Sequence, residues 1–183
     1  MKVLLGVTGC IAAYKACELV RRLRDDEHEV QVVLTESATR FVTPLSFAVL
    51  SGRPVATSLW EGDAQIDHIR LARWPDVVLL APVTANTLAR LAHGMADDLL
   101  STVVLATRSD VPLILAPAMN TAMWENTWVK ANLETLMASD RCHLVEPVAK
   151  TLACGEEGVG GLADEQSILA AVAAVSDRGS ASS

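Results

Sequence analysis

Five short, almost wholly apolar runs alternating with helical patterns leave this chain few ways to fold. The runs are Val3-Leu4-Leu5-Gly6-Val7, Val30-Gln31-Val32-Val33-Leu34, Asp76-Val77-Val78-Leu79-Leu80-Ala81, Val111-Pro112-Leu113-Ile114-Leu115-Ala116 and Cys142-His143-Leu144-Val145-Glu146. A strand without a polar face must be covered on both sides, the condition met by a parallel sheet between two helical layers. Helices are expected over 11–24, 87–93, 97–107, 126–138 and 168–175. A further helical stretch follows Thr35-Glu36-Ser37, and Pro44 and the turn Ser51-Gly52-Arg53-Pro54 break up what comes after it. This order predicts an α/β fold, an open doubly wound parallel sheet in a Rossmann-like or flavodoxin-like three-layer sandwich with right-handed crossovers.

The 183 residues suit one domain, and an apolar fraction of 51% can fill its core. Residues 1–175 are expected to form that domain and 176–183 a flexible, solvated tail. With aromatics at only 4%, aliphatic side chains must do the packing. Fifteen basic against 22 acidic residues give a net charge of -7, and the basic residues cluster only at Arg21-Arg22-Leu23-Arg24. That balance argues against a nucleic-acid partner. No apolar run reaches the ~18 residues of a membrane span. The N-terminus opens directly on a strand, with no small-residue cleavage site, so the expected location is cytoplasmic. Cys10, Cys17, Cys142 and Cys154 have neither disulfide density nor paired metal-site spacing, and no metal is expected.

Chemistry concentrates where strands end. Pro117-Ala118-Met119-Asn120-Thr121-Ala122-Met123-Trp124 stands directly behind the fourth run. Ligands of open α/β sheets collect beyond the C-terminal ends of the strands. The Asn120 amide can bind a carboxylate or amide. Met119, Met123 and Trp124 read either as substrate contacts or as packing. Gly6-Val7-Thr8-Gly9-Cys10-Ile11-Ala12 joins the first strand to the first helix, where backbone amides attract phosphate, though an ordinary tight turn fits as well. It is neither G-x-G-x-x-G nor a P-loop. The second strand ends in Thr35-Glu36-Ser37, hydroxyls better matched to a mononucleotide phosphate than to a dinucleotide ribose. His68, in Asp67-His68-Ile69, is either a base near neutral pH or a plain surface histidine. Gly155, Gly158, Gly160 and Gly161 crowd a segment expected to be a mobile flap or anion nest rather than core, with the Cys154 thiol inside it.

Taken together, Thr8-Gly9-Cys10-Ile11-Ala12-Ala13-Tyr14-Lys15, Asp67-His68-Ile69, the proline-to-tryptophan segment at 117–124 and Ala153-Cys154-Gly155 resemble the flavin-dependent cysteine decarboxylases. Thr84-Ala85-Asn86-Thr87 and Gly94-Met95-Ala96-Asp97-Asp98-Leu99-Leu100 fit the same family, and the resemblance spans 1 to about 170. It implies FMN as cofactor and a homo-oligomer, a trimer or a dodecamer assembled from trimers, with the flavin at a subunit boundary. It also implies that Gly9, Cys10, Ile11, Thr35, Ser37, Thr84, Ala85, Ser101 and Thr102 contact the cofactor. His68, Asn120 and Cys154 become the catalytic residues, and Met119, Asn120, Met123 and Trp124 the substrate contacts.

The implied reaction oxidises a cysteine-derived thiol to a thioaldehyde, which acts as the electron sink for loss of CO₂. The first reading is conversion of phosphopantothenoylcysteine to phosphopantetheine, with Cys154 as proton donor in a reductive half-reaction. The alternatives are oxidative decarboxylation of a precursor peptide ending in cysteine, and a non-catalytic FMN-binding regulatory protein. Coenzyme A enzymes commonly carry an Arg-Met-Ala-Glu-type sequence where this chain has Gly161-Leu162-Ala163-Asp164, which removes a basic residue suited to a substrate phosphate. A basic patch at the crevice mouth would favour the phosphorylated substrate, an open neutral groove the peptide.

Overall fold

The computed structural model describes residues 1–60, 67–151 and 157–180. Five parallel strands form one sheet: β1 (Lys2–Val7), β2 (Glu29–Leu34), β3 (Val77–Val83), β4 (Leu113–Pro117) and β5 (Cys142–Leu144). Their order is β2-β1-β3-β4-β5. This is the flavodoxin-like order, in which strands added after β1 build outward on opposite sides of it. The expected strands are all present, within a few residues at their ends.

Alternation along each strand divides the core in two. Val3, Leu5 and Val7 of β1 face the same way as Val77, Leu79 and Ile114. They meet α1 (Lys15–Asp25), α2 (Pro44–Ser51) and α8 (Glu165–Ser180) through Leu19, Leu23, Phe47, Ile168 and Val172. Leu4, Val78, Leu80, Leu113 and Leu115 face the other layer. That layer contains α3 (Asp67–Arg73), α4 (Ala85–Ala92), α5 (Leu99–Ala106), α6 (Thr121–Trp124) and α7 (Thr127–Met137). Gly6 lies on this second face because a Cβ there would come within 2.5 Å of Leu80 and 2.6 Å of Leu100. Small size, not backbone freedom, is what that position requires.

Three expectations need correcting. The first helix begins as a 3₁₀ turn, Ile11–Tyr14, before α1 takes over at Lys15. Pro44 does not interrupt a helix but starts α2, where a missing N–H costs nothing and the fixed φ suits the first turn. The glycine-rich segment is not wholly outside the core. It contributes β7 (Glu157–Gly161), antiparallel to β6 (Val148–Thr151), and Gly160, Gly161 and Leu162 are buried. In addition, α8 continues through Ser180, so the segment expected as a tail from 176 is helical for its first five residues, a run without proline.

Because Ile114 of β4 is fully buried between β3 and β5 on the face that α8 covers, its truncation should cost what a central core deletion costs. Ile114→Ala is expected to lower unfolding free energy by about 2–5 kcal/mol in a urea titration. A loss under about 1 kcal/mol would show that this core collapses around the deletion.

Candidate functional site

Where the sheet order reverses, between β1 and β3, the two chains leave the sheet on opposite courses and a crevice opens beyond their C-terminal ends. One buried hydroxyl fixes both rims. Thr8 Oγ1 donates to the Pro82 carbonyl at 2.9 Å and accepts from the Thr84 N–H at 3.0 Å. The Thr8 N–H also donates to the Pro82 carbonyl, at 3.2 Å. The third rim forms where Ala118 N–H donates to the Val83 carbonyl at 3.2 Å, holding the loop after β4 beside the end of β3. The resulting cavity has a volume of about 900 Å³.

At one end the cavity is lined by Gly9, Cys10, Ile11, Thr35 and Ser37. Gly9 has no alternative there. A Cβ would sit 2.4 Å from Ser37 Cβ and 2.8 Å from the Ser37 carbonyl carbon, so the two strand-end loops can approach only across a glycine. Burial raises the pKa of the Cys10 thiol, with the Ala12 and Ala13 backbone N–H groups pulling weakly the other way. A thiol kept protonated is packing, not a nucleophile. Along the wall, Thr84 caps α4, its Oγ1 accepting from the Thr87 N–H at 3.4 Å, and Ala85 follows at the first helical position.

The other end is the loop after β4. Asn120 Oδ1 accepts from the Ala122 N–H at 2.8 Å and so caps α6. That bond fixes the side chain with its oxygen committed to the helix, so its donor capacity lies in the amide nitrogen, which suits a carboxylate. Met119 and Met123 line the cavity beside it. Strand β7 closes over this loop: Met119 N–H donates to the Gly160 carbonyl at 2.9 Å. A Cβ on Gly160 would stand 2.3 Å from the Met119 carbonyl oxygen, and its φ of 149° lies where side chains are rarely found. Among the described residues, Gly158, Gly160 and Gly161 therefore serve close packing of a hairpin on the site.

Several expected site residues lie elsewhere. Ser101 is fully buried in a capping box, its N–H bonded to Asp98 Oδ1 at 2.7 Å and its Oγ meeting the Asp98 N–H. Thr102 Oγ1 donates to the carbonyls of Asp98 at 2.7 Å and Ala96 at 3.1 Å. Both hydroxyls serve the start of α5, and neither residue lines the cavity. Trp124 is buried in the second core layer with the Lys130 ammonium 3.7 Å from its ring centroid, and it does not line the cavity. His68, at the start of α3, is half-buried and does not line the cavity of its own chain. Cys154 lies outside the described residues.

Among the residues that line this cavity without having been assigned to the site are Thr8, Lys15, Arg90 and Lys150. Thr8 was legible as a hydroxyl at a strand end. Arg90 is taken up by Asp98 and by Asp97 at 3.1 Å, and it gathers the acidic loop before α5 onto α4. No sequence signal marked Lys150.

Sheet order, crevice and glycine-tight strand-end loop define a doubly wound α/β protein with a mononucleotide-sized site at its switch point. Residues 1–176 match the family model described as Flavoprotein, and the chain belongs to that family. It is 45% identical over 171 residues to the coenzyme A biosynthesis bifunctional protein CoaBC of Vibrio vulnificus, covering 92% of this chain and 42% of the relative. The chain thus spans less than half the length of that relative. It is also 45% identical over 170 residues to a probable phosphopantothenoylcysteine decarboxylase of Streptococcus mutans, covering 92% of this chain and 94% of that one. Among solved structures it resembles a PPC decarboxylase mutant complexed with pantothenoylaminoethenethiol, with a TM-score of 0.84, 34% identity, and coverage of 96% and 98% of the two chains.

Two substitutions separate the roles assigned above. Gly9→Ala should force Ser37 away and lower the flavin retained after gel filtration at least tenfold; undiminished absorbance near 450 nm would refute the tight contact. Ser101→Ala keeps the Asp98 cap but removes the reciprocal hydroxyl bond of the box, and should lower stability by about 1 kcal/mol while the protein keeps its flavin. Loss of flavin at unchanged stability would return Ser101 to the site.

Proposed function

We propose that the chain binds FMN in this cavity and decarboxylates phosphopantothenoylcysteine to phosphopantetheine. The observation that carries the reading is the single continuous cavity joining the Gly9–Ser37 end to the Asn120 end under β7. A volume of about 900 Å³ has room for a flavin mononucleotide with a second molecule laid against it. The donor set agrees. Backbone N–H groups of Gly9 and Ile11 and the hydroxyls of Thr35 and Ser37 suit a phosphate and a polyol, Cys10 lies between them with its own N–H turned to the Thr8 carbonyl at 3.0 Å, and Thr84 and Ala85 offer a wall for a flat ring.

When bound, FMN supplies a reversible two-electron acceptor next to the substrate thiol. The chain's own groups then orient and protect. The Asn120 amide holds the carboxylate that departs as CO₂, and Met119 and Met123 supply soft apolar contact around sulfur. The β6–β7 hairpin keeps water from the reacting carbon, and Cys154 is assigned the proton that the carbon takes up.

His68 completes the constellation from a neighbouring copy. Within one chain it stands off the cavity, while Ile11 and Tyr14 at the cavity and Leu45 and Val49 on α2 expose 59%, 60%, 72% and 74% of their surfaces. A homo-oligomer, a trimer or a dodecamer assembled from trimers, would cover such apolar rims and bring a partner's α3 to the site. The reading places the reaction in the cytoplasm, in keeping with free thiols at Cys10, Cys17 and Cys142. Among the described residues no helix is long and apolar enough to cross a membrane.

Anaerobic incubation of the flavin-loaded protein with phosphopantothenoylcysteine should release one CO₂ per substrate and give a saturated thiol by mass. A stable enethiol with lasting flavin bleaching would place the chain with enzymes that stop at the oxidised product. Bound FMN without CO₂ would mark a non-catalytic flavin binder. His68→Asn should lower turnover at least a hundredfold, and normal turnover would remove His68 from the chemistry.

A further inference from the structure

Two lysines from different parts of the fold meet on the cavity wall. Lys15 is the first residue of α1 and Lys150 lies on β6, and both line the large cavity. Lys150 Nζ donates to the Leu162 carbonyl at 2.9 Å, which holds the side chain across β7. It can lie there only because residue 161 is glycine. A Cβ at Gly161 would meet three atoms of the Lys150 stem, at 2.0, 2.8 and 2.9 Å. The Lys150 side chain thus fills the space in which a side chain of residue 161 would begin.

Like charges brought together this way call for an anion. Lys15 is close enough to depress the Lys150 pKa, second only to burial, with Asp164 opposing more weakly. Asp164 is already occupied by Ser167, whose N–H and Oγ reach its two oxygens at 2.8 and 3.0 Å. With Glu165 it lines a smaller cavity of about 340 Å³ that Lys15 also borders. Among the described residues neither lysine forms an ion pair, whereas Arg90 on the same wall has two. In a chain of net charge -7, two lysines beside one another make a local excess of positive charge.

We propose that Lys15 and Lys150 form the subsite for the terminal phosphate monoester of the substrate. The inference rests on the function proposed above and names what recognises the substrate's far end. Its place favours the substrate over the cofactor. The hairpin that carries Lys150 is bonded to the Met119–Asn120 loop, where the substrate carboxylate is assigned, whereas Gly9, Thr35 and Ser37 form a separate phosphate-binding end. The basic group absent from position 161 is thereby supplied from position 150, across the hairpin.

The test compares phosphopantetheine with pantetheine, which differ only in the phosphate, by calorimetric titration of the flavin-loaded protein. The wild type should bind the phosphorylated probe at least tenfold more tightly, the size expected of a charged hydrogen bond. Lys150→Gln and Lys15→Gln should each erase most of that preference, and Lys150→Arg should retain it. Moving the charge is the stricter arm. Lys150→Gly removes the stem atoms that a Cβ at 161 would meet most closely, so adding Gly161→Arg should restore the preference. An unchanged preference in Lys150→Gln, or equal weakening of both probes, would overturn the subsite. So would loss of bound flavin in that variant, since the pair would then hold the cofactor's phosphate. CO₂ release without any phosphate preference sinks this inference and leaves the proposed reaction standing. A phosphate preference without CO₂ release does the reverse.

Discussion

The site depends on a hydroxyl that is 1% exposed. Thr8 stands at the point where β1 and β3, adjacent in the sheet, must send their chains in opposite directions. Its Oγ1 both donates to Pro82 and accepts from Thr84, so one side chain satisfies backbone groups of the neighbouring strand end that the sheet ladder no longer reaches. Replacing it by an apolar residue of similar shape would leave a buried carbonyl and N–H with poorer partners, at about 1–3 kcal/mol each. The larger consequence is geometric. Thr84 is also the cap of α4, so the same contact sets the start of that helix relative to the Gly9 loop, and with it the width of the crevice.

Much of this was legible because the physics is local. Buried strands betray themselves as apolar runs, and Val77–Val83 and Leu113–Pro117 could hardly be anything else. Gly9, Thr35, Ser37, Thr84, Ala85 and Asn120 could be placed together because a doubly wound sheet brings every strand's C-terminal end to one edge. Ser101 and Thr102 stand off this cavity for an equally local reason. An Asp followed three residues later by a hydroxyl at the start of an apolar run is a capping pattern, and the cap claimed both groups. Trp124 was drawn into the second core layer by α7, a tertiary contact no residue pattern announces.

The glycines of β7 show why composition alone misleads. Three of them suggested a loose loop, since glycine is the residue of mobile and strained backbone. Gly158 instead faces Thr121, where a Cβ would come within 2.4 Å of Oγ1, Gly160 faces the Met119 carbonyl, and Gly161 faces the Lys150 stem. Each removes one side chain so that a different neighbour can come close. The result is a hairpin laid flat on the substrate end of the cavity, and the cost of that flatness is that its outer strand must supply any functional side chain the inner one has given up.

Charge completes the division of the cavity into two ends. Backbone amides and neutral hydroxyls at the Gly9–Ser37 end can hold a phosphate without any formal positive charge, because aligned N–H dipoles at a helix start already favour an anion. At the hairpin end β6 runs extended and the Asn120 cap opens only a four-residue helix, so a comparable field has to come from side chains. Arg90 cannot provide it, being neutralised by Asp97 and Asp98 in the service of α5. Among the described residues that line the cavity, Lys15 and Lys150 are left as the cations able to act there, and each is already part-way desolvated by the fold, so a ligand that meets them displaces less water than it would at a free surface.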